Sequence, residues 1–349
     1  MPADLPPTAL ERRWREIAPP EALDSARAIY ELTPLQSNRQ IPFVDVPYDA
    51  MREGHWAEAA RVADYVAQLP EGGRRVVDFG PGDGWPALPI AAALPGVAVI
   101  GVDPSPRRAA VCRANARRLG LANASFVTGD GGCLPLADGS IDLVTAASSL
   151  EEASDPPAVF AELRRVLRPG GVLRASYQHW QLRTPEFETV ALTAGVDCLL
   201  YSYARRVQSP AVERRYTLVL PREGEAAELH REALIASADA PRAYGETLLQ
   251  AGSSLGTPLL ERLAPLAERS LSVELHRWTT GWLVEALRAA GFAEVRATVH
   301  PGDLARRFAR DLIARGEMPS FAPLFEPATR ALGVAAAAQP GDGMVTAVR

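Results

Sequence analysis

From residue 74 onward the chain alternates short apolar runs, many of them β-branched, with stretches whose apolar positions recur at helical spacing. That alternation predicts an α/β domain, a Rossmann-like doubly wound sheet of parallel strands with helices on both faces. RRVVDFG at 74–80 reads as the first strand, and WPALPIAAAL at 85–94 as a helix with proline in its first turn, where a missing N–H is tolerated. VAVIGVD at 97–103 is the second strand; Ser105 is placed to cap a helix that runs to about Leu119 and stops at Gly120. SFVT at 125–128 and IDLVTAA at 141–147 are strands three and four, the latter apolar enough to be buried on both faces. A helix over about 157–167 then sets Val159, Phe160, Leu163, Val166 and Leu167 on one face, and after the turn RPGG the run VLRASY at 172–177 is strand five.

After Tyr177 this rhythm stops for about a hundred residues, and so long an excursion from a packed sheet is usually a lid or a partner-binding element. The interruption, 178–275, is expected to be a mainly helical insertion, with helical candidates at 186–200, 222–237, 242–251 and 258–270 and one strand-like run at 214–221. The rhythm resumes with a helix over 280–290, a stop at Gly291, a strand at about 292–298, a helix near 302–315 and a strand at 344–348. Residues 1–70 read as a mostly helical segment, punctuated by prolines in IPFVDVPYDAM at 41–51, and are a candidate cover for a ligand. Four segments are therefore expected: 1–70, a core over 71–177, the insertion 178–275, and a completion of the core over 276–349.

Composition narrows the chemistry. With 349 residues, 47% hydrophobic, 23% charged and a formal net charge of -5, the chain has the balance of a soluble globular protein. All 37 basic side chains are arginine, and the lack of lysine excludes a Schiff-base lysine, a pyridoxal phosphate anchor and a P-loop lysine. No dense basic run is present, so no nucleic-acid partner is expected. Three scattered cysteines (Cys112, Cys133, Cys198) fit a reducing compartment, and the five histidines never fall at ligand spacing, so no metal is expected. The first residues show no basic stretch followed by an apolar one, and the apolar run 85–102 is broken by Pro86, Pro89, Pro95 and Gly96. The expectation is a cytoplasmic protein without a membrane partner.

The sharpest local signal is VVDFGPGDG at 76–84, where a strand ends in Gly80, Gly82 and Gly84 and a helix follows at once. Glycines so spaced let the backbone turn tightly and approach a ligand, although a crowded strand–helix turn would also use them. Asp103 ends the next strand 19 residues after Gly84, where an acid can accept both hydroxyls of a ribose, and Asp130 in FVTGDGG follows the third strand. A dinucleotide fingerprint needs G-x-G-x-x-G, but the sixth position from Gly80 is Trp85, which argues against nicotinamide.

In order along the chain, DFGPGDG at 78–84, VIGVDPS at 99–105, GDGGCLPLADGSIDLV at 129–144 and DPPAVFAELRRVLRPGGVL at 155–173 resemble the class I S-adenosylmethionine-dependent methyltransferases. HRWTTGWLVEALRAAGFAEV at 276–295 looks like the late helix and sixth strand of the same family. The resemblance implies a seven-stranded sheet whose last strand runs antiparallel between strands five and six. It implies S-adenosyl-L-methionine as cofactor and S-adenosyl-L-homocysteine as product. Asp78, Gly80, Gly82 and Gly84 would surround the methionine part, with Trp85 close enough to touch it. Asp103, followed by Pro104, would hold the ribose; Gly129, Asp130 and Gly131 the adenine; Ala146 and Ser148 would line the methionyl end, and Tyr48 would belong to the cover.

Many relatives place a histidine after strand four in a pattern like L-E-H, whereas this chain has Leu150, Glu151 and Glu152. Glu152 is a candidate base, or a solvated carboxylate at a helix entry. His179, just past strand five, is the other candidate base, with a hinge histidine as the alternative. Tyr177, Tyr201, Tyr203, His276 and Trp278 are candidate substrate contacts, and packing would equally account for them. Segment 146–149 lacks an N-P-P-Y type signature and no proline–cysteine nucleophile occurs, so a small-molecule acceptor is favoured, methylated on oxygen, nitrogen or carbon. Arg205, Arg206, Arg214 and Arg215 form either a solvated charged face or a means of recognising carboxylate or phosphate. The competing expectation is a non-catalytic protein of the same fold whose insertion binds a protein partner; oligomeric state is left open, a homodimer included.

Overall fold

The computed structural model describes residues 6–20, 23–24, 26–33, 46–177, 186–206, 212–243 and 245–349. They divide into two compact units, residues 1–34 with 180–277, and residues 35–179 with 278–349. In chain order the strands are β1 (Leu23–Asp24), β2 (Arg75–Phe79), β3 (Ala98–Asp103), β4 (Ala124–Thr128), β5 (Ile141–Ala147), β6 (Leu167–Ser176), β7 (Phe187–Ala194), β8 (Leu199–Arg206), β9 (Val212–Leu220), β10 (Arg242–Ala243), β11 (Glu246–Leu248), β12 (Arg269–His276), β13 (Ala293–Val299) and β14 (Gly343–Val348). The helices are α1 (Ala9–Ile17), α2 (Ala26–Leu32), α3 (Glu53–Ala67), α4 (Ala87–Ala93), α5 (Pro106–Arg118), α6 (Pro156–Val166), α7 (Gly224–Ala236), α8 (Thr257–Leu263), α9 (Thr280–Ala289), α10 (Pro301–Ala314), α11 (Met318–Phe321) and α12 (Phe325–Ala338). No helix among the described residues is long and apolar enough to cross a membrane.

The unit that contains residues 35–179 is built on a seven-stranded sheet of order β13-β14-β6-β5-β2-β3-β4. Strands β6, β5, β2 and β3, with β4 at the edge, pair in parallel, while β14 runs antiparallel to both β6 and β13. This is the seven-stranded arrangement that the resemblance implies. Alternate residues of the inner strands feed two separate cores, which is why those strands read as continuous apolar runs. Val77, Val144, Leu173 and Val345 pack with Phe160 and Leu163 of α6 and Leu283 and Leu287 of α9. Val76, Val99 and Leu143 pack with Tyr65 of α3, Leu88 and Ile90 of α4, and Ala109 and Cys112 of α5. Under α3 the side chain of Arg174 on β6 is fully buried and makes a bidentate pair with Asp64, each bond 2.8 Å, and donates to Thr298 and Thr346 on β13 and β14. Helix α12, which sequence patterning does not reveal, lies close on α3 at Gly333, where a Cβ would stand 2.7 Å from the Ala60 carbonyl oxygen.

The other unit corrects two expectations. The insertion is not mainly helical: its centre is a sheet of order β1-β12-β9-β8-β7-β11-β10, antiparallel except for the β1/β12 pair. Of the helical candidates, only those that contain α7 and α8 form helices, and 186–200 and 242–251 supply strands instead. The physical reason lies in a period of two: Tyr201 and Tyr203 of LLYSYARR face one core with Tyr216, Leu218 and Leu220, while Leu200 faces another with Cys198 and Val219. Nor do the first 70 residues act as one segment. Helix α1, capped by a reciprocal Thr8–Glu11 box, belongs with this sheet and inserts Trp14 among Tyr201, Tyr203 and Tyr216, whereas α3 belongs to the unit of the parallel sheet.

Candidate functional site

The loop after β2 is set by three glycines in the left-handed region, Gly80 (φ +69°), Gly82 (φ +56°) and Gly84 (φ +117°). Gly80 passes under Ser149, whose Cβ would lie 2.6 Å from a Cβ at position 80, and Ser149 Oγ donates to the Phe79 carbonyl. Gly82 differs: a Cβ there would meet nothing within 4 Å, so the backbone of the turn faces open space at that residue. Asp78 does not project into that space. Its fully buried carboxylate accepts from the Ala87 N–H (3.0 Å) and from Thr145 Oγ1 (2.8 Å), tying the start of α4 to β2 and β5. Burial pushes its carboxyl up to about 7, against the pull of those two hydrogen bonds.

Helix α5 grips the same turn from the side. Arg108 forms a buried ion pair with Asp83, Cys112 Sγ donates to the Gly82 carbonyl (3.1 Å), and Asn115 Nδ2 donates to the Asp83 carbonyl (3.0 Å). Positions 108, 112 and 115 share one helix face, a signal available in the sequence but overlooked there. At the end of β3, Asp103 Oδ2 accepts from Gly82 N–H (3.2 Å) and Oδ1 from Ser105 N–H (2.9 Å), which fixes the carboxylate beside the open glycine. Pro104 next to it is exposed. Past β4, exposed Asp130 accepts from Gly132 N–H (2.7 Å) in a tight loop closed by a bridge to Cys133. Its flanks are glycine because a Cβ at 129 would lie 2.8 Å from Val102 Cγ1, and one at 131 would lie 2.7 Å from Phe79 Cζ.

Three further points of the same carboxyl edge come from β5 and β6. Ala146 is buried, and exposed Ser148 holds a left-handed backbone (φ +53°) that is costly for a residue with a Cβ, its N–H donating to the Ser176 carbonyl (3.0 Å). On the following turn Glu152 is half-buried, while Glu151, which sequence reasoning passed over, is buried. Tyr177 at the end of β6 is buried and its hydroxyl shares a 2.7 Å hydrogen bond with Thr280 Oγ1, which donates in turn to Asp342; burial pushes the phenol up. Tyr48 and Trp85 meet, the indole N–H donating to the phenol oxygen at 3.2 Å. Over the Trp85 ring, 3.8 Å from its centroid, lies the guanidinium of Arg61 on α3, a residue that no local motif marks.

Other expected substrate contacts are placed differently. Trp278 is buried in the core against Phe160, with Trp282 stacked on it, so packing accounts for it. Tyr201 and Tyr203 are fully buried in the strand-rich unit, bonded to the Leu255 carbonyl and to Glu188 and Thr8, and serve its core. His276 is half-buried at the end of β12 in that same unit. His179 lies outside the described residues.

A family model described as a methyltransferase domain matches residues 77–175. An uncharacterized methyltransferase of Mycobacterium sp. (strain JLS) is 34% identical over 133 residues, which are 38% of this chain and 50% of that protein. The demethylmenaquinone methyltransferase of Thermus thermophilus is 36% identical over 105 residues, 30% of this chain and 47% of that protein. Among solved structures, an S-adenosylmethionine-bound amino pentose methyltransferase from Micromonospora echinaspora aligns with a TM-score of 0.43 at 18% identity, covering 84% of this chain and 91% of that one. The chain spans about half the length of the curated relatives it matches.

Proposed function

We propose that this chain, whose core belongs to the class I S-adenosylmethionine-dependent methyltransferases, transfers the cofactor's methyl group to an oxygen, nitrogen or carbon atom of a small molecule. The observation that carries the reading is the pairing of Gly82, open to space above the turn, with the Asp103 carboxylate fixed beside it by the Gly82 and Ser105 N–H groups. A Cβ at 82 would occupy the room that a ligand needs, and a carboxylate held at a strand end suits a ribose. When bound, S-adenosylmethionine supplies a methyl group on a positively charged sulfur, open to in-line displacement.

The chain's own residues bind and orient. The turn at Gly80, Gly82 and Gly84 supports the methionine part, Asp103 accepts from the ribose hydroxyls, and Asp130 with Gly129 and Gly131 borders the adenine. Arg61, stacked on Trp85 beside Tyr48, supplies a cation for the carboxylate of the methionine part. Ala146 and Ser148 border the end from which the methyl leaves. Methyl transfer needs donor and acceptor held in line at contact distance with water excluded, so positioning does much of the work. Glu152 and His179 are the two candidates to take a proton from the acceptor where one must leave.

Incubation of the full chain with S-adenosylmethionine and a panel of small amines, alcohols and carbon acids is expected to give acceptor-dependent S-adenosylhomocysteine, lost in Asp103→Ala. Removing the charge-assisted bonds to the ribose should weaken cofactor binding by about 1.5–3 kcal/mol. Full cofactor affinity in a folded Asp103→Ala would remove that residue from the site. Binding without turnover on any acceptor would favour the non-catalytic alternative, in which the inserted unit engages a protein.

A further inference from the structure

Helix α3 carries one ion pair that is well made and one that is not. Asp64 meets Arg174 through two parallel bonds of 2.8 Å, both partners fully buried. Nearer the start of the helix, Glu58 Oε2 accepts from Arg61 Nη1 at 3.3 Å, although the two side chains keep only 14% and 16% of their surface. Among the described residues the Nε of Arg61 is buried with no hydrogen-bond partner. The guanidinium is nonetheless held in place. Its carbon lies 3.8 Å from the centroid of the Trp85 ring, and α10 closes in its stem, so that a Cβ at Gly302 would stand 3.0 Å from Arg61 Cδ.

Withdrawing a guanidinium from water while one of its N–H groups goes unmet costs free energy, and a planar carboxylate that takes two parallel bonds offsets that cost. Trp85 directly follows Gly84, so Arg61 stands beside the turn assigned to the methionine part of the cofactor, whose carboxylate is its one anionic group. A second carboxylate on the same guanidinium brings two negative charges together where little water reaches, which favours protonation of one of them. Glu58 is prepared for that role: burial pushes its carboxyl up, against the pull of Arg61 on its own helix and of Arg306 on α10. Tyr48, in the segment before α3, is pushed up by burial and by Glu58 and stays a neutral phenol. His55, one turn back on α3, accepts the Asp49 N–H at Nδ1 (2.7 Å), so that nitrogen carries no proton. Helix α4 has no ionisable side chain, and Glu326 and Arg330 of α12 are exposed.

We propose that Glu58 is a placeholder on Arg61 for the cofactor's carboxylate, and that cofactor binding is coupled to the uptake of a proton by Glu58. The proposal rests on the methyltransferase reading of this chain. Without cofactor, the Glu58 carboxylate balances the guanidinium. With cofactor, the incoming carboxylate takes over the guanidinium and Glu58 takes one proton from solvent to become a neutral acid, so the net charge around Arg61 is the same before and after. The proton returns to solvent when the product leaves. Glu58 is thus a positioning residue, which keeps Arg61 aimed for its ligand and does not touch the reacting methyl group.

The test is calorimetric titration of the full chain with S-adenosylhomocysteine at about pH 6.5, where the ligand's amine keeps its proton, in MES and in imidazole, buffers of different ionisation enthalpy. The unmodified chain is expected to show a buffer-dependent enthalpy that reports uptake of up to about one proton, and an affinity that falls by up to about tenfold per unit as pH rises from there. Glu58→Gln should bind at least as tightly, with little uptake and a flat pH profile. A residue that only braced α3 would instead lower the affinity and leave the proton count as it was. S-adenosyl-3-thiopropylamine, the same ligand without its carboxylate, should bind the unmodified chain without the uptake, and it decides the matter should Glu58→Gln not fold. Saturable S-adenosylhomocysteine binding without uptake, undiminished uptake in a folded Glu58→Gln, or equal uptake with the decarboxylated ligand overturns the placeholder role and leaves the cofactor reading standing. Absence of S-adenosylhomocysteine binding by a folded chain overturns both.

Discussion

The carboxyl of Asp78 is buried beneath the glycine turn, and its elevation to about 7 has a thermodynamic consequence. An unfolded aspartate loses its proton near about 4, whereas the folded one keeps it, so this group's contribution to stability is complete below that range. The contribution is lost as pH rises through about 7. The stability advantage of the unmodified chain over Asp78→Asn, measured by urea denaturation, should therefore shrink steadily from about pH 4 to pH 7. A pH-independent difference would contradict the assigned environment. Gly80 and Gly82 make a contrasting pair. Alanine at either position carries roughly 1–2 kcal/mol of left-handed strain, but only at Gly80 does its Cβ also collide with Ser149. Gly80→Ala should lower melting temperature sharply, while Gly82→Ala should melt closer to the unmodified chain and lose more cofactor affinity than stability. The glycines, Asp103 and Asp130 were legible in the sequence because each lies within a few residues of a strand end. Arg61 and Glu151 were not, since one reaches Trp85 only through packing of α3 and the other differs from Glu152 only in which way the turn faces.

Strands β2, β3, β5 and β6 could be read directly because burial on both faces demands unbroken apolar runs, and the helices between them carry caps such as Ser105 and Asp155. The inserted strands resemble helices in the sequence for a related reason. Their two faces are both buried, one against α1, α7 and α8 and the other partly polar, so apolar residues follow one another without a clean alternation. Helix α12 escaped notice because its alanine-rich run carries no side-chain cap, and its place is fixed by the close approach at Gly333. Between elements, the Arg174–Asp64 pair ties α3 to the sheet with each partner fully buried. Arg174→Met leaves Asp64 buried without its counter-charge and should cost about 3–5 kcal/mol in denaturant unfolding. Asp64→Leu with Arg174→Met should recover much of that loss, and a double variant no better than the single would show that the pair contributes more than mutual neutralisation.

At the scale of the molecule, the matched segment 77–175 falls within the unit of the parallel sheet, and the strand-rich unit lies outside it. The proposed cofactor residues Gly80, Gly82, Gly84, Asp103 and Asp130 thus all lie within the matched segment. The central claim is that the turn at Gly80–Gly84 with Asp103 binds S-adenosylmethionine. Calorimetric titration of the full chain with S-adenosylmethionine, S-adenosylhomocysteine and, as a control, NADH tests it most directly. Saturable binding of the first two with none of the third is the predicted result; binding of NADH alone, or of none of the three by a folded chain, would contradict it.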